Sequence, residues 1–101
     1  MKLSPGTRKR LAILFEPGDV AEATRRIETE CGTNLPGWDN CDARGLERIR
    51  YAALKLSDGS LAKLAEAIAL AQLDWRDALV ASEFADDTEA HTHWLPRPRD
   101  E

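Results

Sequence analysis

Cys31, Cys41, His91 and His93 are the only cysteines and histidines in the chain, and they are where metal chemistry would start. Zinc takes four such ligands in a tetrahedron. A Cys-x9-Cys pair followed fifty residues later by His-x-His fits no common structural zinc spacing. Cys31 continues the apolar stripe of a helix and reads as a buried thiol behaving as a small hydrophobe. His91 and His93 stand with Asp86, Asp87 and Glu89, which makes either a loose divalent-ion cluster or a solvated acidic tail. In a solvated tail the carboxylates favour the imidazolium form, with titration at or above about pH 6.5. Ser57, Ser60 and Ser82 have cap or helix-surface roles, and no histidine lies in the helical body to activate a hydroxyl. There is no Gly-rich phosphate loop. The expectation is a protein that is not an enzyme and that carries no metal and no cofactor.

The residue types that point elsewhere are cations and aromatics. At 100° per residue, Arg44, Arg48 and Lys55 share one face of a helix, flanked by Tyr51. Arg8, Lys9 and Arg10 form a second basic cluster. Trp38 falls in a loop and Trp94 in a tail, positions that no helical core pattern fixes. Arg, Tyr and Trp are enriched at interface hot spots. Arg44, Arg48, Tyr51, Lys55, Trp38 and Trp94 are therefore the expected partner-binding residues. The partner would be a protein, or a second copy of the chain. Nucleic acid is the alternative, with the cations on phosphate and Tyr51 stacked on a base. A net charge of −4 and a pI near 5.2 weigh against nucleic acid and against an anionic membrane.

These residues need helices to position them. Ser4-Pro5 is a helix start, and Glu16-Pro17-Gly18 is a break. Asp19 with Glu22 three residues on reads as a capping box for a second helix, whose stripe is Val20, Ala23, Ile27 and Cys31. Residues 33–42 are irregular, with Asn40 or Asp42 ending them as a cap. A third helix runs from about Ala43 to Leu56, with Leu46, Ile49, Ala53 and Leu56 on its apolar face. Gly59 ends it and Ser60 caps the next. That next helix, residues 60–73, is apolar most of the way round, as a buried central helix is. Asp74 interrupts it and caps a fifth helix reaching Phe84.

The run Leu61-Ala-Lys-Leu-Ala resembles the first helix of a bacterial helix-turn-helix. The turn glycine is replaced by Ala69, and the helix continues to Gln72 where the turn belongs. Glu30-Cys-Gly-Thr-Asn-Leu-Pro, Leu46-Glu-Arg-Ile-Arg-Tyr-Ala-Ala-Leu-Lys-Leu-Ser and Asp74-Trp-Arg-Asp-Ala-Leu together resemble a group of small uncharacterised bacterial helical proteins. That resemblance spans roughly residues 11 to 95. It implies a bacterial, cytoplasmic setting and brings no activity with it.

At 101 residues the chain is long enough for one modest core, and 43% apolar with 32% charged residues is a globular balance. Ala, Leu, Glu and Arg are abundant, and no stretch alternates long enough for a strand. The expected fold is all-α: a compact single domain of about five short helices around the Ala/Leu-rich helix at 60–73. Residues 1–85 form the helical domain, and residues 86–101 a partly ordered, irregular polar tail. The N-terminus has no secretory h-region and no apolar run is long enough to span a membrane, so the expected location is cytoplasmic, with both thiols reduced.

Overall fold

The computed structural model describes residues 3–32, 43–87 and 89–96. Those residues form five α-helices and no strand: α1 (Pro5–Leu14), α2 (Pro17–Glu30), α3 (Ala43–Ser57), α4 (Leu61–Ser82) and α5 (Ala90–His93). The all-α expectation holds. The Ala/Leu-rich stretch is the middle of the longest helix, and Leu64, Ala67, Ile68 and Ala71 are all buried on it. Among the described residues no helix is long and apolar enough to cross a membrane.

Local chemistry sets most boundaries. Ser4 accepts from the Thr7 amide at 3.2 Å, and Pro5 occupies the first helical position of α1. Ser60 caps α4 through the Lys63 amide at 3.2 Å. The turn before it needs Gly59: φ is +81°, and a Cβ there would sit 2.5 Å from the Leu14 carbonyl oxygen. That close approach seats the α3–α4 turn on the end of α1. Helix α2 begins earlier than the capping box implies. Pro17 takes the first helical position, Glu16 stands at the N-cap without a side-chain bond, and Asp19 falls inside the first turn. Glu22 pairs instead with Arg25 and Arg26, at 2.6 and 2.8 Å.

Asp74 breaks α4 as its residue type suggests. Its φ of −160° and ψ of 105° are extended, and its Oδ1 accepts from the Arg76 amide at 3.0 Å. The helix therefore has two arms, 61–73 and 75–82. The second arm ends at Glu83, at φ 69°, where Phe84 N–H reaches the Leu79 carbonyl and Glu83 N–H the Val80 carbonyl. This is a Schellman ending, with Phe84 and Leu79 in one apolar cluster beside it.

Helices α3 and α4 pair across buried alanines, Ala52 and Ala53 on one side and Ala67, Ala71 and Ala78 on the other. Small side chains let the two backbones approach. One apolar cluster joins α1 and α2 to the first arm of α4 through Phe15, Ile27 and Leu64. A second joins α3 to the other arm through Ile49, Leu79 and Phe84. Leu56 and Trp94 pack against both. Cys31 is wholly buried, and burial pushes its thiol up to about 12. The segment 89–96, part of the stretch expected as tail, packs back on the body, with His91 buried and Trp94 half-buried.

Candidate functional site

The α3 cations expected to meet a partner have partners inside the chain. Lys55 Nζ donates to the Ser82 carbonyl at 2.8 Å and lies 4.9 Å from the Phe84 ring centre. Arg48 donates to the carbonyls of Phe84 and Ala85. Arg44 pairs with the Glu89 carboxylate. Read backwards along α3, Lys55, Arg48 and Arg44 meet residues 82, 84–85 and 89 in ascending order. They form a row of fasteners for the strap of chain that leaves α4. The carbonyls at a helix C-terminus carry the negative end of its dipole, so Lys55 and Arg48 sit where cations are favoured. Arg50 does the same for α2, donating to the Cys31 carbonyl at 2.8 Å.

Tyr51 is buried, with 3% of its surface exposed, so it offers no face to a base or a partner. Its ring centre lies 4.1 Å from the Arg10 guanidinium carbon and 5.2 Å from the His91 ring, edge to face. Arg10 belongs to a run that reads as a basic surface, yet it is buried. Its Nε donates to the Trp94 carbonyl at 3.0 Å and its Nη1 to the Gly6 carbonyl at 3.0 Å. Trp94, expected as an exposed anchor, lies half-buried with its ring 6.4 Å from Tyr51 and 6.1 Å from Phe84. Trp38 and Cys41 lie outside the described residues.

His91 corrects the reading of a solvated tail. It is 2% exposed, walled by Tyr51 and Phe84, and its Nε2 lies 3.8 Å from Glu47 Oε1. Its Nδ1 is buried with no hydrogen-bond partner. A second proton there would have no acceptor. Burial accordingly holds its pKa below the ordinary 6.5, with Glu47 opposing the shift. Burial also raises the Tyr51 phenol, against the pull of Arg10.

Glu47 in turn accepts from Ser4 Oγ at 2.7 Å. The order is hydroxyl, carboxylate, imidazole. Nucleophile activation needs the imidazole against the hydroxyl, so this array ties α1, α3 and α5 together without generating an alkoxide. The cavity beside it, about 120 Å³ and lined by Ser4, Thr7 and Glu47, is below the size of ordinary small-molecule sites. Among the described residues no three His, Cys, Asp or Glu side chains gather as metal ligands.

A different face is left open. The Asp74 break places both arms of α4 around a groove of about 420 Å³, lined by Leu56, Lys63, Glu66, Ala67, Leu70 and Ala81. Leu73, 78% exposed, follows Leu70 by one turn. Val80, 66% exposed, adjoins Ala81. The sequence does not mark Leu73 as exposed, and its pattern places Val80 with Trp75, Leu79 and Phe84 as inward-packing, which the exposure of Val80 overturns. Leu70 falls off the main apolar stripe of the central helix. Apolar walls with one cation and one carboxylate suit a helix or an apolar side chain better than a polar metabolite. No family model, curated protein or solved structure matches this chain, so its site is argued from its own residues.

Proposed function

We propose that the chain is a small interaction module without catalysis of its own, and that it docks a protein on the broken face of α4. The carrying observation is that Leu73 and Val80, two of the three exposed large apolar residues among those described, stand on the two arms beside the Leu70–Ala81 groove. Large apolar side chains this exposed, one turn from Leu70 and one residue from Ala81 of the groove lining, mark interaction surfaces more often than scattered ones do. The α3 face first expected to bind serves this function indirectly. By fastening the strap to the end of α4, Arg44, Arg48 and Lys55 fix the second arm. A bacterial, cytoplasmic setting is part of the proposal and rests on the resemblance in residues 30–36, 46–57 and 74–79.

The nucleic-acid alternative rested on the same α3 cations. With those engaged, Lys9 and Lys63 are the described cations without an ion-pair or hydrogen-bond partner for their side chains, and they lie on different helices. Phosphate binding needs several cations on one surface. Affinity capture with tagged chain from a lysate of the source cell, with and without nuclease, separates the two readings. Protein recovered in both samples by the wild type, and lost with Leu73→Asp/Val80→Asp, supports the α4 face. Recovery that collapses with nuclease favours the alternative.

A further inference from the structure

We propose that the occupant of the α4 groove is a second copy of this chain, packed about a twofold axis. The inference rests on the reading of that groove as a docking surface and names its partner. A twofold contact uses one patch twice, so the patch must complement itself. This one does. Lys63 and Glu66 both line the groove, one turn apart, both exposed, and neither side chain has a partner among the described residues. Arg8, Arg25, Arg26, Arg44, Lys55 and Arg76 each stand in an ion pair within the chain. Lys63 is an exception, and it lines the same groove as Leu70. Antiparallel approach of two α4 helices sets Lys63 against the partner's Glu66, and does so twice.

The apolar part of the patch flanks those charge pairs. Leu70 and Leu73 project beside exposed alanines, Ala69 and Ala81, where a partner helix can come close. Other occupants fit less well. A phosphate backbone or an anionic membrane would want a cationic rim, and this one carries Glu66, with Asp77 exposed one turn before Val80 and Ala81. An unrelated apolar helix would fill the groove but would have to supply both charges in register. A second copy already does.

The patch comprises Leu56, Lys63, Glu66, Ala67, Leu70, Ala81, Leu73 and Val80, far fewer than the roughly 20–30 residues a side of a standard stable interface. The dimer therefore exchanges with monomer, and sedimentation equilibrium from about 1 µM to about 500 µM should span the transition. The mass moves from 11.2 kDa toward twice that as concentration rises. Leu73→Asp removes the transition while leaving the helical circular dichroism unchanged, because Leu73 is exposed. Lys63→Glu and Glu66→Lys each weaken the dimer by about tenfold or more, since each sets like charges together. Their equimolar mixture pairs more tightly than either alone, and Lys63→Glu/Glu66→Lys in one chain restores wild-type behaviour. A wild type that stays monomeric throughout overturns self-association. A dimer indifferent to all these substitutions overturns it too, because another face then holds the copies. If the wild type is monomeric yet Leu73→Asp/Val80→Asp loses lysate capture, the docking surface stands with a different protein upon it. If neither measurement responds to the substitutions, both readings fall.

Discussion

The Arg10 guanidinium lies 4.1 Å from the centre of the Tyr51 ring and donates, from its other edge, to the carbonyl of Trp94. That relationship joins the first helix, the third and the returning strap in one buried contact. It explains why an arginine in a run of surface cations is 6% exposed. Replacing it leaves backbone carbonyls without donors and the face of Tyr51 uncovered. Arg10→Ala should cost about 2–4 kcal/mol in urea unfolding. Hydrogen exchange in peptides covering residues 85–96 should quicken more than in α2. Arg10→Lys keeps the charge but loses the planar fork, and should recover only part of the loss. Unchanged exchange in the strap would show that Arg10 does not hold it.

Gly6 gives a second test of the same contact. A Cβ on Gly6 would lie 2.0 Å from the Tyr51 hydroxyl oxygen, and the buried ring cannot swing away. Gly6→Ala should destabilise by about 1–3 kcal/mol, although alanine is the better helix former. In a Tyr51→Phe background the obstructing oxygen is gone, and the ring carbon that bore it stands at 3.4 Å. There Gly6→Ala should cost much less, with Arg10 Nη1 at 3.3 Å as the remaining close contact. The double-mutant cycle reads the difference, and additive effects would contradict the packing described.

His91 sets a pH dependence whose sign follows from its burial. Its folded pKa lies below the ordinary 6.5, so the unfolded chain binds the extra proton first. The neutral form's contribution is fully present above pH 6.5 and is lost as pH falls toward the folded value. The groups facing the imidazole are Glu47, Arg48 and Tyr51 from α3, Arg10 from α1, and Glu89 from its own segment. His91→Phe should flatten the fall in melting temperature between about pH 7.5 and pH 5.5. The carboxylates act lower. Glu22 is held near a pKa of about 2 by Arg25 and Arg26, so its share of stability is lost below its ordinary 4.5. Equal slopes in wild type and His91→Phe would remove the histidine from the account.

Glu83 occupies the left-handed position that ends α4, at φ 69°, where glycine is the unstrained choice. Its ion pair with Lys55 spans 3.6 Å, and its own side chain is 85% exposed. Such a pair contributes little. Glu83→Gly should therefore stabilise the chain by about 0.5–1 kcal/mol, seen as a higher urea midpoint at unchanged m-value. A lower midpoint would mean that the pair outweighs the backbone strain.

What could be read from the sequence follows the range of the interaction concerned. Ser4-Pro5, Gly59-Ser60 and Asp74 act on backbone within a few residues of themselves, and each does in the structure what its type suggests. Cys31 sits on an apolar stripe, and stripes report burial. The strap was not legible. Arg48 finds the Phe84 carbonyl 36 residues away, and an arginine bound to backbone looks the same in a sequence as one in water. Arg10 and His91 were hidden for the same reason, since their burial depends on carbonyls and rings supplied by remote chain. The sequence showed which residues carry recognition chemistry, and the fold directs several of them at the protein's own backbone. The α4 face was missed because Leu73 and Val80 sit in an Ala/Leu-rich run, where apolar residues on every side read as core.

The central claim is that the open face of α4, and not the cationic face of α3, is where this chain meets a protein. The most direct test is capture by tagged wild type and tagged Leu73→Asp/Val80→Asp, in nuclease-treated lysate of the source cell, with an untagged copy of the chain counted as a partner. The account predicts protein recovered with the wild type, an untagged copy of the chain in less than stoichiometric amount if that copy is the partner, and none with the double variant, at equal helical content. Undiminished recovery by the double variant, or recovery that depends on intact nucleic acid, would contradict it.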